Sequence, residues 1–127
     1  MKISLVSMPV QDPIAAHEIY TTKLGFISKE FDADTSIAMV VSAQDPDGTT
    51  LFLEPCKDTF AESYQKAAFD ANLPVMIFSV QDVAAELKRL KAVGVKLRPE
   101  LDRPEWGLLN LFEDGCGNLL MIEEASP

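Results

Sequence analysis

Histidine occurs once in this chain of 127 residues, at His17, and cysteine twice, at Cys56 and Cys116. A non-haem iron site needs two histidines and a carboxylate, so that chemistry lacks its ligands. The two cysteines lie far apart, in no metal-ligand spacing and no disulfide framework, which predicts reduced thiols in a soluble cytoplasmic protein. Basic residues are scarce too. Eleven Lys and Arg stand against twenty Asp and Glu, a net charge of −9. No basic footprint exists to neutralise phosphates, which excludes nucleic acid as a partner. No apolar run approaches the roughly 20 residues of a membrane span, and the N-terminus shows no signal-peptide pattern. Glycine-rich phosphate loops, Gly-x-Ser-x-Gly and Cys-x-x-Cys are all missing.

What the chain does have is a repeat. Val10-Gln11-Asp12, followed by a stretch ending Leu24-Gly25-Phe26, recurs as Val80-Gln81-Asp82 and a stretch ending Val93-Gly94-Val95. Asp45-Pro46-Asp47-Gly48 with Leu51-Phe52-Leu53-Glu54 recurs as Asp114-Gly115-Cys116-Gly117 with Leu120-Met121-Ile122-Glu123. The first match is offset by 70 positions and the second by 69, so a single deletion near Pro13 reconciles them. Two copies of one supersecondary unit are implied. Half of the chain alone would be marginal in size, so the halves are expected to share a core with each other or with a partner.

Each copy reads β-α-β-β-β. In the first, residues 2–10 form a strand, and Asp12-Pro13 supplies an N-cap and a proline at the first helical position. That helix directs Ile14, Ile19, Tyr20 and Leu24 to the core and stops at Gly25. Strands follow at 26–33, 36–43 and 49–55, with a turn at 45–48. The connector, 57–72, carries a helical stretch over 61–71. In the second copy, strands fall at 74–80, 95–101, 107–113 and 118–124, with a helix over 82–93 and an interruption at Arg103-Pro104-Glu105. The domain is expected to be single, with modules at 1–56 and 73–127.

The repeat and its motifs resemble the vicinal oxygen chelate superfamily of glyoxalases, bleomycin and fosfomycin resistance proteins and extradiol dioxygenases. The residues that carry the resemblance are Val10-Gln11-Asp12 leading to Tyr20 and Leu24-Gly25-Phe26, and Trp106-Gly107 leading to Asp114-Gly115-Cys116-Gly117-Asn118. The second turn departs from the family pattern, with Gly115-Cys116 where a proline and an acidic residue are usual. The resemblance spans residues 3–124. It implies an α+β fold, two βαβββ modules in tandem forming a curved mixed sheet with a central groove. It also implies a homodimer, in a self-complementary two-fold contact.

Metal-binding members of that superfamily carry ligands on the first and fourth strands of each module. The matching positions here are Leu5, Phe52, Val75 and Met121. None offers a lone pair to a hard or borderline cation, so a metal-free member with no cofactor is expected. Strand alternation puts Ser7, Thr50, Glu54, Ile77, Leu119 and Glu123 on the same groove-lining face, and Leu51, Leu53, Leu120 and Ile122 towards the helices.

The expected ligand-binding set is Leu5, Ser7, Phe52, Glu54, Val75, Trp106, Met121 and Glu123. Glu54 and Glu123 could hold a cation, act as a general base after desolvation, or simply stand in water. Trp106 could stack on a ligand or anchor an irregular segment. Tyr64 and Phe69 could close the groove or pack a dimer contact, and Met39, Met76 and Met121 offer adaptable apolar surface. No base or electropositive setting activates either cysteine, and His17 reads as a surface residue. The expected function is metal-independent binding of a small molecule in the inter-module groove, sequestering a cationic or antibiotic-like ligand. The alternatives are a metal-independent isomerase or lyase with Glu54 or Glu123 as base, and an interaction module whose groove is filled by side chains.

Overall fold

The computed structural model describes residues 1–126, built as two sheets and three helices. The first module contains β1 (Leu5–Val10), α1 (Pro13–Thr22), β2 (Ile27–Asp32), β3 (Ile37–Val41) and β4 (Thr50–Pro55). Its sheet has the order β1-β4-β3-β2, with β1 and β4 parallel. A connecting helix, α2 (Phe60–Asp70), leads to the second module. That module contains β5 (Met76–Val80), α3 (Val83–Ala92), β6 (Lys96–Leu97), β7 (Leu101–Arg103), β8 (Gly107–Glu113) and β9 (Leu119–Glu124). Its order is β5-β9-β8-β6, with β7 also pairing β8. No helix among the described residues is long and apolar enough to cross a membrane.

The helices begin where their caps dictate. Asp12 accepts from the amides of Ile14 and Ala15, with Pro13 in the first turn, and Asp82 accepts from Ala85 N. After α1 and α3 the backbone turns left-handed at Gly25 (φ +86°) and Gly94 (φ +87°), where glycine carries no Cβ penalty. One strand differs between modules. Where β2 has a register shift between Ser28 and Glu30, the second module breaks its strand into β6 and β7 around Pro99, a residue that cannot donate to the ladder.

Strand alternation places Met8, Val10, Leu51 and Leu53 of the first sheet and Phe112, Leu120 and Ile122 of the second in one buried core. Tyr20 and Ala16 of α1 and Leu90 of α3 complete it. Ile14, in contrast, is 44% exposed, because α1 meets the core through Pro13, Ala16 and Tyr20 instead. Both sheets therefore face the same core with their helix-bearing sides. Their other faces, called outer here, lie outside that core.

Polar groups fasten the modules together. Asp114 is 2% exposed and accepts from Tyr20 OH (2.6 Å), the Cys116 amide (2.7 Å), and both the amide and side chain of Asn118 (3.0 and 2.9 Å). Gln65 of α2, also buried, donates to the carbonyls of Pro9 and Cys116 and to Asn118 Oδ1. Gly117 is required for that approach. Its φ is +99°, and a Cβ there would lie 2.6 Å from Gln65 Oε1. A buried polar network of this kind is stable only when every member is paired.

Candidate functional site

The outer face of the first sheet can be laid out row by row from its register. Leu5 pairs Thr50, Ser7 pairs Phe52, and Pro9 pairs Glu54. Across the sheet, Phe52 pairs Met39, Met39 pairs Glu30, and Ile37 pairs Asp32. An apolar centre of Phe52 and Met39 therefore borders a carboxylate row of Glu30, Glu54 and Asp32, all three exposed. None of the three has an ion-pair partner among the described residues. Lys29 is the nearby cation, and it donates to Thr50 Oγ1 at 2.8 Å. Leu5 is 44% exposed, so this face is open.

The corresponding face of the second sheet is covered. Leu109, Leu111, Leu119 and Met121 form a separate buried cluster, and Phe69 of α2 and Leu101 of β7 close over it. Arg98 pins the closure. Its guanidinium lies 5.0 Å from the Phe69 ring centroid, bonds Glu113 Oε2 at 2.8 Å and reaches Asn72 Oδ1 at 3.0 Å. Phe69 thus takes the groove-closing role, against its own chain, while Tyr64 stays 60% exposed.

These placements divide the expected binding set. Leu5, Ser7, Phe52 and Glu54 share the open first face. Met121 lies under Phe69, and Glu123 stands exposed at the end of β9. Val75, just before β5, packs against the shared core instead of lining a hollow. Trp106 sits in the turn before β8, 57% exposed. The eight residues are therefore not gathered into one pocket. Glu54 and Glu123 have no hydrogen-bond partner among the described residues and lack the apolar enclosure that a desolvated base requires.

The thiols are inert by environment. Burial is the main cause that pushes the Cys116 thiol from its ordinary value near 9 up to about 12, with Asp114 adding to it. Burial also raises Cys56, with a contribution from Glu62. Neither supplies a thiolate near neutral pH. Tyr20 is raised well above its ordinary range by burial and by the carboxylate of Asp114, so it remains a hydrogen-bond donor. His17 stacks on Phe31, with ring centroids 4.1 Å apart, and pairs with Ser28 Oγ.

The donor set does not suit a metal. The four positions that would carry ligands are Leu5, Phe52, Val75 and Met121, and no group of three or more His, Cys, Asp or Glu among the described residues could hold an ion. A cavity that sequence reasoning missed lies where the two modules pack together. It is a cleft of about 950 Å³ between the α1–β2 turn, the β3–β4 connection, β5 and α3, and it contains none of the eight expected residues. Alternation along strands assigns faces, and it carries no information about a cleft formed by two units packing together.

Comparison with known proteins follows from this geometry. A family model described as Glyoxalase/Bleomycin resistance protein/Dioxygenase superfamily matches residues 2–122. The Bacillus subtilis (strain 168) protein YurT is 42% identical over 124 residues, covering 96% of this chain and 98% of YurT. Among solved structures, TnmS3, an antibiotic binding protein from Streptomyces sp. CB03234, superposes with a TM-score of 0.70 at 22% identity, covering 99% of this chain and 97% of that one. The bleomycin-binding protein of Streptomyces verticillus, solved with copper(II)-bleomycin, gives 0.67 at 16% identity, covering 99% and 98%. At such identities the solved structures establish the shared fold.

Proposed function

Since the chain belongs to the glyoxalase/bleomycin resistance protein/dioxygenase superfamily, we propose that it binds a small cationic organic molecule without a metal. The site of this reading is the open outer face of the first sheet. The observation that carries it is the replacement of every ligand position by an apolar side chain, beside a carboxylate row with no ion-pair partner of its own. Phe52, Met39 and Leu5 offer apolar contact, while Glu30, Asp32 and Glu54 offer charge, the combination that an amphipathic cation requires. The likeness to antibiotic-binding proteins of the same fold supports sequestration as the purpose of such binding.

An open sheet face covers only one side of a ligand. A second copy completing the groove in a two-fold contact is part of the proposal, and Leu5 and Ile77, 44% and 47% exposed, are apolar surface such a contact would remove from water. Base catalysis by Glu54 or Glu123 finds no support in their surroundings, since both stand exposed.

Isothermal titration with spermidine and with metal-free bleomycin tests the binding. Saturable binding is expected, unaffected by EDTA and weakened about tenfold in Glu54→Gln. Absence of heat with both ligands, or binding that needs added zinc, nickel or iron, overturns it. Sedimentation velocity tests the dimer.

A further inference from the structure

The open face of the first sheet carries a cation as well as carboxylates, and the duplication shows what that cation lacks. Lys29 and Arg98 occupy the same place in the two modules. Each follows the residue, Ser28 or Leu97, that pairs with Val40 or Phe112 on the neighbouring strand. In the second module that strand supplies a partner: Glu113, opposite Lys96, takes the Arg98 guanidinium at 2.8 Å. At the same place in the first module stands Val41, opposite Ile27. No carboxylate among the described residues pairs with Lys29.

A bulge aims Lys29 at the outer face. The register shifts between Ser28 and Glu30. Ser28 faces α1, its Oγ 2.7 Å from His17 Nε2, while Glu30 pairs with Met39 on the outer side. The extra residue, Lys29, turns outwards with Glu30, a re-aiming that bulges characteristically perform. Because β3 lies between β2 and β4, the Lys29 side chain crosses the sheet to donate to Thr50 Oγ1 at 2.8 Å. Its methylenes pass over Val41, which is only 4% exposed on an otherwise open face.

Donors are left over at the end of that crossing. An ammonium has three N–H groups, and the described residues take one of them. The Thr50 hydroxyl accepts from Lys29, which frees its own proton to donate, and no acceptor among the described residues receives it. A charged donor and a neutral one thus converge where no protein acceptor stands. A ligand carboxylate satisfies both, through charge-assisted bonds that are stronger than those to a neutral oxygen. Glu54 stands four residues further along β4, about 13 Å away at the rise of a strand, with Phe52 between them on the same face. We infer, on the outer-face reading proposed above, that the ligand is an amphipathic cation with a carboxylate at the end opposite its basic group, as in a short basic peptide. Lys29 and Thr50 are the residues that select for that carboxylate.

The probes are the tetrapeptide Arg-Phe-Leu-Ala, which extends to about 13 Å, and its C-terminal amide, each titrated calorimetrically into the full chain. The amide carries one more net positive charge, so the protein's charge of −9 alone would draw it more strongly. The free acid is nevertheless expected to bind about tenfold tighter than the amide. Lys29→Met should abolish that preference by weakening the acid, and circular dichroism checks that the exposed substitution leaves the fold intact. Val41→Glu, which gives Lys29 the partner that Arg98 already has, should abolish it as well. An amide that binds as tightly as the acid overturns the inference, as does a preference that survives Lys29→Met. Binding of spermidine with no binding of either peptide also overturns it, and in all three cases the outer-face reading stands. If spermidine and metal-free bleomycin fail to bind as well, the outer-face reading falls with it.

Discussion

The two outer faces share one register and differ in what covers them. Phe52 and Met121 occupy matching positions. Phe52 belongs to an open face with a carboxylate border, while Met121 lies buried beneath Phe69 and Leu101. The connector makes the difference. Only one helix follows the first module, and it folds down on the second. Duplication supplied two equivalent surfaces, and one unduplicated segment closed one of them, leaving the other open.

The largest effect that sharpens this contrast comes from the turns. Asp114 and Asp45 match in the repeat, yet Asp114 is buried with four donors while Asp45 is exposed. Asp114→Ala should cost about 3–5 kcal/mol in urea unfolding, because it strands several buried donors, whereas Asp45→Ala should stay within about 1 kcal/mol. Equal losses would break the comparison.

Next is the covering itself. Phe69→Ala should destabilise by about 2–4 kcal/mol and expose apolar surface to a hydrophobic dye, while Phe52→Ala, on the open face, should cost about 1 kcal/mol. If both variants behaved alike, the second face would not be closed in solution.

The smallest effect is alkaline. A neutral acid whose folded pKa is raised stabilises the fold fully below its unfolded pKa, and that contribution is lost as pH rises through the folded value. For Cys116 the window runs from about 9 to about 12, and Tyr20, raised well above its ordinary value by burial and Asp114, adds to the loss on the alkaline side of that ordinary value. Urea midpoints should fall across that window, and Cys116→Ser should remove more of the fall than Cys56→Ser. A midpoint that is flat up to pH of about 11 would contradict the assignment.

Much of this was legible in the sequence. The caps at Asp12 and Asp82 and the stops at Gly25 and Gly94 are local chemistry, and the structure places them as the residues dictate. The alternation of Leu51 and Leu53 against Phe52, or of Leu120 and Ile122 against Met121, correctly assigned sides to each sheet. What it could not assign was the direction in which each sheet faces. Two units can share a core through their helices or through their hollows, and both choices satisfy the same pattern of alternate apolar residues. Val75 was misplaced because it precedes the regular strand, where parity no longer governs. Ile14 was misplaced because the periodicity of α1 allowed more than one apolar face. The role of Phe69 was open because the connector has no counterpart in the repeat.

The fastening between modules has a consequence for how the chain reaches this state. Tyr20 finds Asp114 across 94 residues, and Asn118 finds Pro9 across 109. Contacts of such separation form only after long loops have closed, so they belong to the late, slow part of folding. A nascent chain holds Met8, Val10 and Tyr20 with no partner from the second module until that module has been synthesised. Newly made first modules therefore expose this apolar surface until the second module docks on it.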